Sequence, residues 1–246
     1  MNKKALIRWI IGPTKINGFK CLKQSVEKIK QLYPEFDLLI CHNQLNEDQI
    51  NFVKNLNVEL FDQSQSINYL CISPESGYQV HWKLYPARMA LNKHEIILDN
   101  DIVLFKRLRE IDEFLESDST LMCQGINLLH GKFGKYVPTG IRVNSGLFGM
   151  PPNFDFYKIM KENIKDYDLL SWENRFDEQG LVASVLNKHK NKIFISLINL
   201  PIIESNFDLQ SITTNACCGY HFVGLNYQDV HNGWENYIMK IKKIIL

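Results

Sequence analysis

Short apolar runs alternate with segments of helical spacing from the start of the chain. Ala5 to Ile11 reads as a strand closed by Gly12-Pro13, and Phe19, Leu22, Val26 and Ile29 then recur at the spacing of one helix face. Tyr33-Pro34 ends that helix. Phe36 to Cys41 reads as a second strand, and Asn46-Glu47-Asp48 as a helix start with Ile50, Val53 and Leu56 inward. Val58 to Phe61 is a third strand. This rhythm predicts an α/β fold with a mostly parallel central sheet flanked by helices, whose ligands bind beyond the carboxyl ends of the strands.

The middle of the chain breaks the pattern where chemistry is expected. Val80 to Leu91 reads as a helix with Trp82, Tyr85 and Met89 on one side, started late or kinked by Pro86, and with Lys83 and Arg88 as its basic residues. His94 to Leu98 is an apolar strand that runs into Asp99-Asn100-Asp101 and on into Ile102 to Phe105. Ile111, Phe114 and Leu115 suggest a short helix, Leu121 to Gln124 a strand, and the Gly-rich stretch 125 to 140 a basic loop able to close over a ligand. Arg142 to Met150 is read as a strand, Phe154 to Ile164 as a helix, and Glu178 to Leu186 as a helix opening behind Asp177. At the end of the chain, Tyr237, Ile238, Ile241, Ile244 and Ile245 share a helical face; the reading is a docking helix, with weak peripheral membrane contact as the alternative.

Two aspartates one residue apart on an extended segment point the same way and form an oxygen-rich clamp suited to Mn²⁺ or Mg²⁺. A solvated turn after a strand explains the same three residues, so the surroundings have to decide.

Composition narrows the field. The 28 Lys and Arg against 27 Asp and Glu give a net charge of +1, which supplies no general attraction to nucleic acid, so phosphate recognition has to be local. No linker-like stretch divides the 246 residues, which predicts one domain over 1–246, with a nucleotide-binding half (1–105) and an acceptor and metal-completing half (106–246). Cysteines 21, 41, 71, 123, 217 and 218 lie mostly in apolar runs without paired spacing, as expected of reduced thiols in a soluble cytoplasmic protein. Arg8 interrupts the first apolar run, which argues against a signal peptide.

The segment His94 to Leu104 resembles the strand and DxD motif of A-type glycosyltransferases, especially those like glycosyltransferase family 8. Tyr85-Pro-Ala-Arg88 resembles a YxR-type helix before the motif, Val143-Asn-Ser-Gly146 an NSG strand, Asp177-Glu-Gln179 a DQD-type segment, and His221-Phe-Val-Gly-Leu-Asn226 an HxxG element. The resemblance implies that Asp99, Asp101 and His221 hold Mn²⁺ or Mg²⁺, and that Arg88, Lys83, Asp99, Asn100, Asn144, Ser145 and Gly224 address a nucleotide-sugar donor, taken as a uridine diphosphate sugar. It further implies that Asp177 or Glu178 is the catalytic carboxylate. Two departures stand out: no Lys-Pro-Trp follows Asn226, and Glu178 replaces a usual amide.

Blander explanations accompany each residue. His221 fits a hydrogen-bonded core histidine, His231 is a reserve ligand, and Asp177 and Glu178 fit the positive end of a helix. Asp99 to Val103 also matches the aspartyl-nucleophile string of haloacid-dehalogenase-like phosphohydrolases, although on a later strand than those enzymes use. A nucleotide-sugar-binding protein without catalysis is a third reading. The acceptor, whether carbohydrate, lipid-linked or protein, is left open.

Overall fold

The structure, a computed structural model, describes residues 5–66, 79–164, 172, 174–203 and 217–223. Strand β1 (Ala5–Ile11) is buried along its whole length. Helix α1 (Ile16–Leu32) lays Phe19, Leu22, Val26 and Ile29 on the sheet. It stops where the Tyr33 amide donates to Ile29 O (2.8 Å), one residue before Pro34. Strand β2 (Asp37–His42) is followed by α2 (Glu47–Lys54), which opens with a reciprocal capping box between Asn46 and Gln49. Strand β3 (Glu59–Asp62) completes the first βαβαβ half.

The remaining elements are β4 (His94–Asp99), β5 (Ile102–Leu104), α3 (Arg109–Leu115), β6 (Thr120–Gln124), β7 (Val143–Met150), α4 (Phe156–Asn163), α5 (Phe176–Leu186), β8 (Lys192–Ile195), β9 (Ile202–Ile203) and β10 (Gly219–Phe222), with 3₁₀ segments at Gln63–Gln65, Gln79–Leu84 and Gly131–Tyr136. The main sheet has seven strands in the order β3-β2-β1-β4-β7-β6-β8. Only β7 pairs antiparallel with its neighbours there, so the sheet is mostly parallel as the sequence predicts. Helices cover both faces. On one side α1 and α3 pack on Ile7, Trp9, Ile96 and Leu98; on the other, α4, α5 and residues 82–87 pack on Leu6, Ile10, Ile97 and Phe148. The alternation of those partners along β1 and β4 is the period of 2 expected of strands buried on both faces.

Two expectations change. The helix expected over 80–91 is a 3₁₀ turn that ends at Leu84, because Pro86 has no amide to donate and residues 85–93 follow an irregular path. Asp99-Asn100-Asp101 is not extended throughout: β4 ends at Asp99, Asn100 and Asp101 turn, and β5 leaves the main sheet. A second sheet, β5-β10-β9, forms beyond that turn. Cys71, Gly224, His231 and the segment expected to form a C-terminal helix lie outside the described residues. No helix among the described residues is long and apolar enough to cross a membrane.

Candidate active site

The turn after β4 meets β10 because β10 runs antiparallel to β5 with His221 opposite Ile102. The Phe222 amide donates to Asp101 O (2.9 Å), which fixes that register beside the turn. His221 Nε2 therefore lies 3.3 Å from Asp101 Oδ1 and 4.0 Å from Asp99 Oδ2. One ligand atom from each of the three residues falls within 4.8 Å of the others. An octahedral ion with bonds of ~2.1 Å places neighbouring ligands about 3 Å apart and opposite ones about 4.2 Å apart. The two carboxylates and one imidazole thus form a donor set, at close to the required spacing, that suits a divalent cation.

A break in the sheet delivers the next wall. Successive β6 residues Met122 and Cys123 pair with Phe148 and Asn144, so Ser145, Gly146 and Leu147 form an irregularity in β7 against β6. The Asn144 side chain accepts from Gly146 N (2.8 Å) and shapes this detour. Gly146 is required there: a Cβ at this position would run into the His221 ring.

Behind the triad lies a buried ionic group. Lys83 Nζ is 2.7 Å from Asp99 Oδ1, 3.6 Å from Glu178 Oε2, and donates to Ser145 O (3.1 Å). Glu178 enters from the first turn of α5, accepts from the Ser145 hydroxyl (2.8 Å), and keeps Oε1 buried without a hydrogen-bond partner among the described residues. Burial pushes the Glu178 carboxyl up to about 7, with Lys83 pulling down and Asp99 pushing up. The Asp99 carboxyl is also raised, by burial first and by Asp101 against the pull of Lys83. Burial acts to neutralise Lys83, but Asp99 and Glu178 outweigh it and hold the ammonium charged. Among the described residues, Asp99, Asp101 and Glu178 gather around the buried ammonium of Lys83, an acidic grouping that suits a divalent cation.

These groups line one open cleft of about 290 Å³ at the carboxyl ends of β1 and β4, between the two sheets. Asn100, Asn144 and Ser145 also line it, as expected from the sequence; the Asn100 amide donates to Gly18 O (3.2 Å) and so braces the turn against α1.

Two predicted residues are placed elsewhere. Arg88 does not line the cleft: its guanidinium donates to the carbonyls of Pro151, Phe154, Ala90 and Lys93 and lies 3.4 Å from Glu95. With no helix over 85–91, the YxR-type helix on which the resemblance set Arg88 toward the donor is absent. Asp177 also faces away, accepting from the amides of Lys132 (2.8 Å) and Asn174 (3.0 Å), so it ties the 131–136 turn to α5. Glu178, one residue on, takes the cleft position.

Sequence reasoning missed Trp82, Gly12 and Gln179. The Trp82 ring lies against Gly12, where a Cβ would collide with it, and both line the cleft. Gln179 reaches the cleft wall through Leu129 O (2.5 Å) and Ser145 N (3.4 Å). The Gly12-Pro13 pair at the end of β1 was the available signal, since open α/β sheets bind ligands at such strand ends.

Sheet order, the reversed β7 and the second sheet define the A-type glycosyltransferase fold. Solved structures agree. The galactosyltransferase LgtC, in complex with donor and acceptor sugar analogs, superposes with a TM-score of 0.56 at 12% identity over 97% of this chain and 95% of that one. Mouse xyloside xylosyltransferase 1 gives 0.53 at 11% identity over 90% and 98%. The bifunctional glycosyltransferase WbbM gives 0.58 at 11% identity over 92% of this chain and 47% of that chain. No protein-family model and no curated protein matches the sequence. With this fold, the haloacid-dehalogenase-like reading of Asp99 to Val103 loses its structural basis.

Proposed function

We propose that the chain is a metal-dependent glycosyltransferase that moves a sugar from a nucleotide diphosphate donor, a uridine diphosphate sugar in the first instance, to an acceptor. The observation that carries this reading is the convergence of Asp99, Asp101 and His221 at the carboxyl end of β4 in a fold of this type. Mn²⁺, with Mg²⁺ as the substitute, would be held by these three side chains and would neutralise a departing diphosphate. Asn100, Asn144 and Ser145 line the cleft, where they would address the donor. Glu178 is the carboxylate we assign to charge or proton movement at the anomeric centre, because it is the buried acid on the cleft wall that does not belong to the triad. Lys83 keeps Asp99 and Glu178 ionisable in a buried setting and orients both.

The division into a nucleotide-binding half (1–105) and an acceptor half (106–246) follows from the same reading. Its support is that Lys83, Asp99 and Asp101 come from the first part and Ser145, Glu178 and His221 from the second. We assign the protein to the cytoplasm; the five described cysteines are free thiols, as a reducing compartment allows.

The test is release of UDP from UDP-glucose or UDP-galactose by the purified protein with and without Mn²⁺. Turnover should need the metal, fall at least ~100-fold in Asp101→Ala, and show a metal affinity weakened roughly 10- to 100-fold in His221→Ala. Unchanged turnover in Asp101→Ala would overturn the assignment. Tight UDP binding with neither hydrolysis nor transfer would favour a binding protein instead.

A further inference from the structure

Arg8 lies in the centre of the main sheet, on the same face of β1 as Leu6 and Ile10, and its side chain is fully buried. Its Nε donates to Glu95 Oε1 at 2.7 Å, and both side chains are completely inaccessible. Nη2 spreads over three backbone carbonyls: Lys83 (3.0 Å), Pro86 (2.9 Å) and Ala87 (3.1 Å). The other Glu95 oxygen accepts the amides of Met89 (2.8 Å) and Ala90 (2.9 Å). One buried ion pair thus hydrogen-bonds the backbone from Lys83, at the end of the 3₁₀ turn, through the irregular stretch to Ala90, where a continuing helix would have satisfied its own carbonyls and amides.

That segment carries Trp82 and Lys83 into the cleft. A buried ion pair in a well-packed core gives little net stability compared with apolar residues of the same size, because desolvating two charges cancels most of their attraction. A stability role therefore does not account for an arginine and a glutamate at the middle of this core. The geometry does account for them: Arg8 grips the main chain of Lys83, whose ammonium sits 2.7 Å from Asp99 on the other side.

We infer that Arg8 and Glu95 are positioning residues of the cleft, a buried frame that sets Lys83 against Asp99 and Glu178. The fork of the guanidinium is essential to this. It serves one carboxylate and three carbonyls at once, which the single ammonium of a lysine cannot reach together. The effect on turnover rests on the proposed glycosyltransferase reading; the effect on the placement of Lys83 does not.

The experiment is amine labelling of the native protein, read at Lys83 by peptide mass spectrometry, alongside metal-dependent UDP release. Lys83 is the one lysine buried among the described residues and should label far more slowly than Lys23, whose side chain is half exposed. In Arg8→Lys its labelling should speed up about tenfold or more as the segment opens locally, while Lys23 is unchanged. Glu95→Gln keeps the shape and removes the charge; it should do the same and serves if Arg8→Lys does not fold. Leu22→Ala, a cavity on the opposite face of the sheet, is the control: it should lower the melting temperature and leave Lys83 protected. Where turnover is measurable, the frame variants should lose kcat while KM for the donor changes little. Lys83 protection unchanged in folded Arg8→Lys and Glu95→Gln would overturn the inference, even with a lower melting temperature. Absent UDP release in the parent protein, with Lys83 exposed in the variants, would instead overturn the glycosyltransferase reading and leave the frame standing.

Discussion

Burial moves the Glu178 carboxyl up to about 7, despite Lys83 beside it and with Asp99 adding to the shift. An unfolded glutamate ionises near ~4.3, so folding favours the protonated form of this one. That stabilising contribution is complete below the unfolded value and is lost as pH rises through about 7. Glu178→Gln cannot ionise and lacks this dependence. The melting temperature of the parent protein should therefore fall relative to Glu178→Gln between about pH 5 and about pH 8; parallel profiles would show that Glu178 does not titrate there. Gly146 carries a second prediction at this scale. A methyl group there meets the His221 ring, so Gly146→Ala should turn the imidazole out of the triad. Mn²⁺ affinity should weaken roughly 10- to 100-fold, as for loss of a group that orients a ligand, with little change in far-ultraviolet circular dichroism. An unaltered affinity would mean that His221 is not a ligand.

Between elements, α5 and the 131–136 turn are fastened together beside the cleft. Asp177 accepts the Lys132 amide across this contact and the Asn174 amide at the start of its own helix, Gln179 reaches Leu129 O, and Gly180 packs against His130 O, where no Cβ fits. Asp177→Ala should free the turn at a cost of about 1 kcal/mol, the scale of a lost side-chain cap. Proteolysis within 131–136 should quicken, while turnover falls much less than in Glu178→Gln; an equal loss in both would restore Asp177 to the chemistry. The elements also show what the sequence made legible. β1, α1, β2 and α2 follow from apolar runs, spacing and the Asn46 cap: the two helices satisfy their hydrogen bonds within their own stretch, and the two strands, although their partners are distant, are largely apolar runs of seven and six residues, long enough to be marked by composition alone. β9 and β10 span two and four residues and exist only through pairing with distant partners, so no local period marks them. The β7 irregularity is hidden for the same reason: Val143 to Met150 reads as an ordinary strand, and only its register with β6 reveals the detour. Asp99, Asp101, Glu178 and His221 were legible as residue types at motif spacing. The place of Arg88 was not, because it depends on a path after Pro86 that helical periodicity misdescribes; Lys83 was legible as a cleft residue, but not its ion pairs with Asp99 and Glu178, which come from distant elements.

Across the whole molecule, the candidate metal site is also a joint. Its ligands come from the turn that leaves the main sheet at Asp99 and from β10, which returns to the second sheet near the end of the described chain. An ion that binds the folded arrangement, and not the unfolded chain, stabilises it by mass action, by about 2.7 kcal/mol at a hundred times its dissociation constant. For a chain of this length each kcal/mol moves the melting temperature by roughly 2–4 °C, so saturating Mn²⁺ should raise it by roughly 5–10 °C. The shift should disappear with a chelator and in Asp101→Ala, and should shrink in Gly146→Ala. Binding must also displace any proton that Asp99 holds, since burial and Asp101 raise its carboxyl against the pull of Lys83. The Mn²⁺-induced shift should therefore diminish as the pH is lowered, and isothermal titration should detect protons released on binding. An equal shift in Asp101→Ala would separate metal stabilisation from the triad and move the search for the ion elsewhere in the chain.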